Sequence, residues 1–400
     1  MERESRSSSW LITVALCAAL CIAAARTVVA ETSRADAIAQ EQRVKSQNLG
    51  VEGPSLAERF VEWVQRRPVF VPTSGFYPWP KSVYPGTGVA IGAGFIQRWP
   101  NLARVNVSAG LSVQGSSVVR ADALLPPLAG GLITVVASGS HTIAKDLSFY
   151  GLGPGSSTGS ALRYEYKPTV AGATVTVQAI PGFNLSAAYR RLEAKTKKTG
   201  GPELTEASAP AIGIDLAYNV AEATVSIDWR SSPGYSIHGG FHRFTASQYF
   251  EAHDLPYAFH VFEYEGIQLI PIMRGQFVLA GRVLATLATP EKGDRVPLFL
   301  MPTLGGPETL RGFKTRRFTD FNRLLLSAEY RWTPSRVMDM AIFFDAGKVE
   351  PERDDLNLSR LETDVGIGAR FHGAWLSLFR AELARSHEGW KTMVAGGKAF

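Results

Sequence analysis

From Gly88 to the C-terminus, apolar and polar residues alternate at a period of two, in runs broken by Gly, Pro or Asn. Successive side chains of a strand point to opposite faces, so each run predicts a strand with one apolar and one polar face. In Met273–Leu287, Phe277, Leu279, Val283 and Leu287 alternate with Arg274, Gln276, Arg282 and Thr286. In Glu222–Arg230, Val225, Ile227 and Trp229 alternate with Thr224, Ser226, Asp228 and Arg230. The remaining runs place strands at Gly88–Arg98, Ala103–Gln114, Val118–Leu125, Gly131–Ser140, Thr158–Tyr166, Val170–Ile180, Phe183–Glu193, Tyr235–Tyr249 and Tyr257–Ile270. The last five are Arg323–Trp332, Met338–Gly347, Leu361–Phe371, Ala374–Arg385 and Trp390–Phe400. About sixteen strands result, the even number that a membrane barrel with both ends on one side requires. Pro126-Pro127, Pro181-Gly182, Pro271 and His372-Gly373 mark tight turns. Lys195–Ala221 and Thr289–Asn322 are long loops assigned to the outer surface, with Ile212–Tyr218 a candidate extra strand inside the first.

Upstream the pattern changes. Met1–Ala30 has Arg3 and Arg6 ahead of an apolar run, Trp10–Ala25, and small residues at Val28-Val29-Ala30, the layout of a cleaved secretory signal. A retained anchor is the other reading, but the run falls short of the ~20 residues a spanning helix needs. Residues 31–85 form a periplasmic N-terminal segment in this scheme. Ser55 and Glu58 form a capping box for a short helix, Ser55–Arg66, with Leu56, Phe60 and Val64 on one face. That helix lies in the barrel mouth, on the membrane, or packed as a linker on the wall. Pro68, Pro72, Pro78, Pro80 and Pro85 then argue against regular structure before the barrel at 86–400.

The fold class expected is all-β: a transmembrane antiparallel barrel with a short helical segment before it. A soluble sandwich would show the same alternation with the apolar face turned inward. Aromatics near strand ends (Tyr166, Trp229, Trp332, Trp390), the terminal Phe400 and the signal favour the membrane. With 38 Gly and a mean hydropathy of zero, no apolar run after residue 30 reaches helix-span length. Both cysteines, Cys17 and Cys21, lie in the signal, so the mature chain has no disulfide framework; each follows a Leu, unlike a lipid-attachment cysteine. A net charge of +6, scattered along the chain, gives no nucleic-acid stripe.

One stretch combines charge with this pattern. Leu304-Gly-Gly-Pro-Glu-Thr-Leu-Arg311-Gly312-Phe313 is a Gly- and Pro-rich loop. In the strand after it, Arg323, Ser327, Glu329 and Arg331 share one face, opposite Leu324, Leu326, Tyr330 and Trp332. In the next, Asp345 faces away from Met338, Met340, Ile342 and Phe344. Two strands thus turn a carboxylate to the polar side beside a loop that carries an arginine.

These residues resemble the outer-membrane assembly barrels of the BamA/TamA type, the bacterial surface antigen family. Leu310-Arg311-Gly312-Phe313 is similar to the family's loop motif, Glu329-Tyr330-Arg331 to its first strand motif and Phe343-Phe344-Asp345-Ala346-Gly347 to its second. Phe149-Tyr150-Gly151-Leu152-Gly153 and Asp228-Trp229-Arg230-Ser231-Ser232-Pro233 resemble two further family strand ends, and the likeness covers about residues 85–400. The resemblance implies that the loop folds back into the lumen, where Arg311 pairs with Glu329 and Asp345. A guanidinium fork suits carboxylates as Lys does not, Gly312 permits a sharp turn, and Phe313 anchors the loop to the wall. Such a pair would be only partly desolvated and would serve to fix the loop. The other reading is a solvated Arg311 above two pore-lining carboxylates.

Two features depart from the family. Residues 31–85 are too few and too proline-rich for the client-gathering periplasmic domains of assembly members, so the chain reads as a barrel-only member. The first and last strands are short of side chains, with Gly88, Gly92 and Gly94 (after Gly86) in one and Gly396, Gly397, Lys398 and Phe400 in the other. The expectation is a weak seam between them that opens sideways into lipid.

The expected activity is insertion or transport of protein or lipid, with a passive pore as the alternative. Expected partners are outer-membrane lipid and lipopolysaccharide, and nascent outer-membrane or secreted proteins or a separate periplasmic partner; Lys195, Lys197 and Lys198 are read as a solvated loop, with contact to lipopolysaccharide phosphates as the alternative. Gly155-Ser-Ser-Thr-Gly159 matches a nucleophile-elbow pattern but sits at a hairpin tip, so no enzyme is expected. No cofactor or metal is expected either: His238 and His242 would stand ~13 Å apart, too far for one ion.

Overall fold

The computed structural model describes residues 74–396, apart from 80, 81, 160, 233, 234, 336 and 373–376. The signal, the helix at Ser55–Arg66, Gly397, Lys398 and Phe400 lie outside these residues. The N-terminal half supplies β1 (Gly75–Pro78), β2 (Ala90–Arg98), β3 (Arg104–Ser112), β4 (Ser117–Leu124), β5 (Ile133–Phe149), β6 (Leu162–Ile180), β7 (Phe183–Gly200) and β8 (Leu216–Asp228). The C-terminal half supplies β9 (Gly239–Glu251), β10 (Phe259–Ile272), β11 (Phe277–Pro290), β12 (Thr303–Leu304), β13 (Phe318–Thr319), β14 (Asn322–Ser335), β15 (Met338–Glu350), β16 (Glu362–His372), β17 (Ser377–Ser386) and β18 (Gly389–Gly396). All but β12 and β13 form one 16-stranded antiparallel sheet in chain order; those two pair with each other inside the loop between β11 and β14.

The expected number of strands is met by a different set. Thr158–Tyr166 and Val170–Ile180 are a single strand, β6, running through Pro168. The β5–β6 ladder has no pair between His141–Thr169 and Ala144–Tyr166, and its register shifts just beyond, between Ala144 and Leu147, so the missing proline N–H falls in a gap of that ladder. The strand lost by this merger is replaced by β1, where the prolines argued for irregular chain. An edge strand tolerates proline because one side of it needs no donor, and Pro78 closes this one. β7 and β8 also reach into the loop drawn at Lys195–Ala221, shortening it to 201–215, and Ile212–Tyr218 contributes the start of β8.

Side-chain parity sorts the two faces. Phe244, Phe262, Leu279, Ile342, Phe344 and Ile367 are exposed on the outer face, whereas Glu265, Ser327, Glu329, Asp345, Arg370 and Glu382 on the opposite face are buried. Only a sheet curled with its charged face inward produces this pattern, and the apolar face then meets lipid. The 291–321 loop fixes the curl, since it touches β6, β11 and β14–β17 at once. Both sheet edges begin or end on the same side, and that loop emerges on the other. On the terminal side, the loop after β8 reaches over to β15 and β16: Tyr235 stacks on His372 at 3.8 Å and donates to Asp339 at 3.1 Å.

Candidate functional site: an arginine loop inside the barrel

Gly305 and Gly306, both at positive φ, tighten a turn closed by Gly306 N–H donating to Leu310 O at 3.0 Å. The turn pushes Leu310, Arg311 and Phe313 into the lumen. There Leu310, Phe313 and Phe318 join Leu284, Leu325 and Val349 of the wall in an apolar cluster, with Phe313 also edge-on to Phe318 and His387. The segment drawn as an outer-surface loop is therefore largely interior.

Arg311 is 2% exposed. Its Nε and Nη2 donate to the two oxygens of Asp345 at 2.7 and 2.9 Å, a bidentate fork. Nη1 donates to Glu329 at 2.6 Å and to Glu382 at 3.1 Å, and the guanidinium lies 3.5 Å over the Phe343 ring. Glu329 also binds Arg331 at 2.7 Å and Arg370; Glu382 also meets Arg370 at 3.5 Å and Arg380 at 3.2 Å. Each of these glutamates thus faces three guanidiniums. The network is fully buried, where partial solvation was expected, because the loop itself caps the lumen. Buried charges of this kind hold together only as a set, since removing one partner strands the others.

Gly312 corrects another expectation. It is absent from the positive-φ glycines, so no sharp turn depends on it. Its value is closeness: a Cβ there would stand 2.5 Å from Asp364 Cβ and 3.0 Å from Ser386 Cβ. Ser386 Oγ donates to Gly312 O at 2.9 Å, fastening the motif to β17.

Several members escaped the sequence reading. Glu382, Arg370 and Arg380 complete the cage, and Arg380 Nη2 donates to Pro307 O at 2.6 Å and Glu308 at 3.0 Å. Arg282 Nη1 holds Glu308 O at 2.7 Å from the other side. Their signal was present: Arg370 shares a face with Gly366 and Gly368, opposite Val365, Ile367 and Phe371. Of the other motifs, Gly153 N–H donates to Thr319 O at 3.0 Å in the loop, and Arg230 pairs with Asp228 at 2.7 and 2.9 Å. The Gly155–Gly159 tip also serves the loop, as Arg317 Nη1 donates to Ser156 Oγ at 2.7 Å while its Nε donates to Glu388 at 2.6 Å.

The glycine seam is also redrawn. The strand at the N-terminal edge is β1, which pairs with residues 93–96 of β2. Gly94 is not an empty position: the Tyr77 ring lies where its Cβ would project, and Trp79 lies likewise over Gly110. Gly92 backs onto Ala109 O, and Gly88 is at positive φ beside Gln114. Gly396 ends β18 at the other edge. Among the described residues no ladder joins β18 to β1.

An antiparallel sheet with a lipid-facing apolar belt and a charged, loop-filled interior defines a transmembrane β-barrel. Residues 148–389 match the Omp85 superfamily domain, and the chain belongs to that superfamily, whose barrels lie in the bacterial outer membrane. Among solved structures it resembles BamA from Haemophilus ducreyi lacking POTRA domains 1–3, with a TM-score of 0.62 and 13% identity over 80% of this chain and 68% of that one. It also resembles CdiB from Escherichia coli, with a TM-score of 0.50 and 14% identity over 78% of this chain and 58% of that one. At these identities the likeness concerns the fold. No curated protein matches by sequence.

Proposed function

We propose that this barrel aids the insertion or passage of protein or lipid at the outer membrane, with the 291–321 loop held in its lumen as a plug. The observation that supports this is the cage around Arg311: one loop residue is gripped by carboxylates from three strands, β14, β15 and β17. A passive pore has no use for so costly an anchor unless the loop must stay in place. Arg311, Glu329 and Asp345 fix the loop's position, Gly312 lets it lie against β16 and β17, and Phe313 seats it in the apolar cluster. Clients are membrane or secreted proteins, or lipids, and a separate periplasmic partner is compatible with this reading.

The second reading, a pore, is favoured by the hydroxyl-lined wall on β5–β9, where Thr176 meets Ser186 at 2.9 Å and Thr224 meets Thr245 at 3.1 Å. Planar-bilayer conductance separates the two. A small, fluctuating current in the wild type that grows in Arg311→Ala supports the plug. A large, steady current in both proteins sinks it. The outer-membrane protein and lipid profile of a deletion strain then tests client handling.

A further inference from the structure

Just past the Arg-Gly-Phe motif the loop carries two adjacent arginines with opposite fates. Arg317 is saturated by Glu388 and Ser156. Arg316 is not. It is 9% exposed, its Nη2 donates to Tyr164 Oη at 3.2 Å, and its Nε has no acceptor. Among the described residues no Asp or Glu forms an ion pair with it. Its neighbours are Tyr164 and Tyr166 of β6, both buried, and Tyr84 of the β1–β2 loop, whose ring lies 5.9 Å from the guanidinium and packs edge-on to Tyr166 at 5.6 Å.

A guanidinium does not shed its proton, so burial cannot be relieved by neutralisation. A buried charge without a counter-charge is costly, and what relieves it here must come from outside these residues. The donor set says what kind of group fits. A planar fork with an open Nε lies against the Tyr164 hydroxyl and beside the Tyr84 ring, on two different elements, with Tyr166 packed behind Tyr84 and no ion-paired carboxylate among the described residues. A carboxylate offers two oxygens in a single plane, whereas a tetrahedral oxyanion offers oxygens in three dimensions. We propose that Arg316, Tyr84, Tyr164 and Tyr166 form a binding site for a phosphate-type oxyanion at the outer mouth of the barrel. Free phosphate and the phosphorylated headgroup of lipopolysaccharide are the two sources of that chemistry. The site goes beyond the transport reading and does not depend on what the barrel carries.

The test uses the full chain in detergent micelles free of phosphate and lipopolysaccharide, with thermal unfolding followed by β-sheet circular dichroism. Inorganic phosphate, acetate at matched ionic strength, diphosphoryl lipid A and dephosphorylated lipid A are titrated separately. A ligand that binds only the native state raises Tm in a saturable way. The expected result is a saturable rise of several degrees with phosphate or with diphosphoryl lipid A, absent in Arg316→Gln and shifted to about tenfold higher ligand concentration in Tyr164→Phe and Tyr84→Phe. A response to phosphate identifies the free ion as sufficient; a response to diphosphoryl lipid A alone identifies the headgroup. In phosphate-free buffer Arg316→Gln should melt no lower than the wild type, because it removes an uncompensated charge. The proposal is overturned if neither ligand gives a saturable shift, if acetate or dephosphorylated lipid A works equally well, if Arg316→Gln responds like the wild type, or if that variant is the less stable in phosphate-free buffer. An Arg316→Gln chain that fails to fold counts as that last outcome, and Tyr164→Phe and Tyr84→Phe read the ligand's affinity independently of it.

Discussion

Lysine in place of Arg311 keeps the charge and loses the fork. Arg311→Lys should therefore retain a folded barrel with a loosened loop, whereas Arg311→Ala leaves Asp345 without a cation and should cost about 3–5 kcal/mol in urea unfolding. Gly312→Ala tests closeness without touching charge: with Asp364 Cβ 2.5 Å away, the loop must lift or β16 must shift, at about 1–3 kcal/mol. Asp320, in the loop just before β14, is pushed up to about 6 by burial, with Glu350 adding to the shift. The native state therefore holds that proton more tightly than the unfolded chain, and stability falls as pH rises from about 4 through 6. Asp320→Asn should gain about 1 kcal/mol at pH 8 and nothing at pH 4, measured as the difference in unfolding midpoints. At this scale the sequence was informative where parity applied. Glu329 and Asp345 read as inward-facing because strand period is rigid; Glu382 and Arg380 share a face by the same period, but their meeting with Arg311 rests on a register that only pairing reveals. The role of Gly312 was invisible for the same reason: its neighbours, Asp364 and Ser386, lie 52 and 74 positions downstream.

Among elements, β1 is the most instructive. Its prolines hid it, and its seat depends on Gly94 of β2, which read only as a weak point, while Trp79 just after it lies over Gly110 of β3. Gly94→Val would place methyl groups where the Tyr77 ring now lies, with a Cβ 2.2 Å from Tyr77 Cζ, and should release β1. Tyr77 also donates to Asn106 at 2.6 Å, so that bond breaks with it. Protease sensitivity near residue 75 should rise in Gly94→Val and remain low in Gly281→Ala, a position without positive φ where a Cβ meets nothing. If both variants resist equally, β1 is not held by that contact. The long middle strands were under-read for a related cause. Beyond the membrane belt β5 to β7 leave lipid, so the clean alternation that marks a spanning segment gives way to residues facing the loop cluster, such as Leu162, Tyr164 and Leu192.

Across the whole molecule the lumen is lopsided. The charge cage fills the side formed by β14 to β17, and loop residues 296–301 pack on the outer half of β5 to β8, while the inner face of β5 and β6 toward the terminal side presents Thr134, Ser140, Gly172, Thr174 and Thr176 at half-buried positions. A charge added on the empty side should therefore act on permeating ions, and one added on the filled side should act on folding. Thr174→Lys is expected to move the conductance toward anions with little change in the unfolding midpoint; unchanged reversal potential in a salt gradient would show that the path lies elsewhere. The same loop also links the sheet's two ends. Arg317 bridges the β5–β6 tip to the β17–β18 turn, and Arg316 reaches the β1–β2 loop, so side chains span a gap that no described backbone ladder closes. Chain order gave the sheet, since neighbours in sequence pair in space; this cross-mouth linkage has no local pattern and was not legible.

The unequal strand lengths have a practical consequence at the cell surface. β6 has 19 residues and β4 has eight. At about 3.3 Å per residue and a tilt near 40°, β6 rises roughly 45–50 Å, about twice the height of the apolar band. The rim is thus raised along β5–β7, but Arg317 ties its β5–β6 tip down to the β17–β18 turn through Ser156 and Glu388. An epitope inserted at Gly155 should therefore be stained by antibody on intact cells to the same extent as one at His387. Staining at Gly155 alone would show that the tip stands free of the turn.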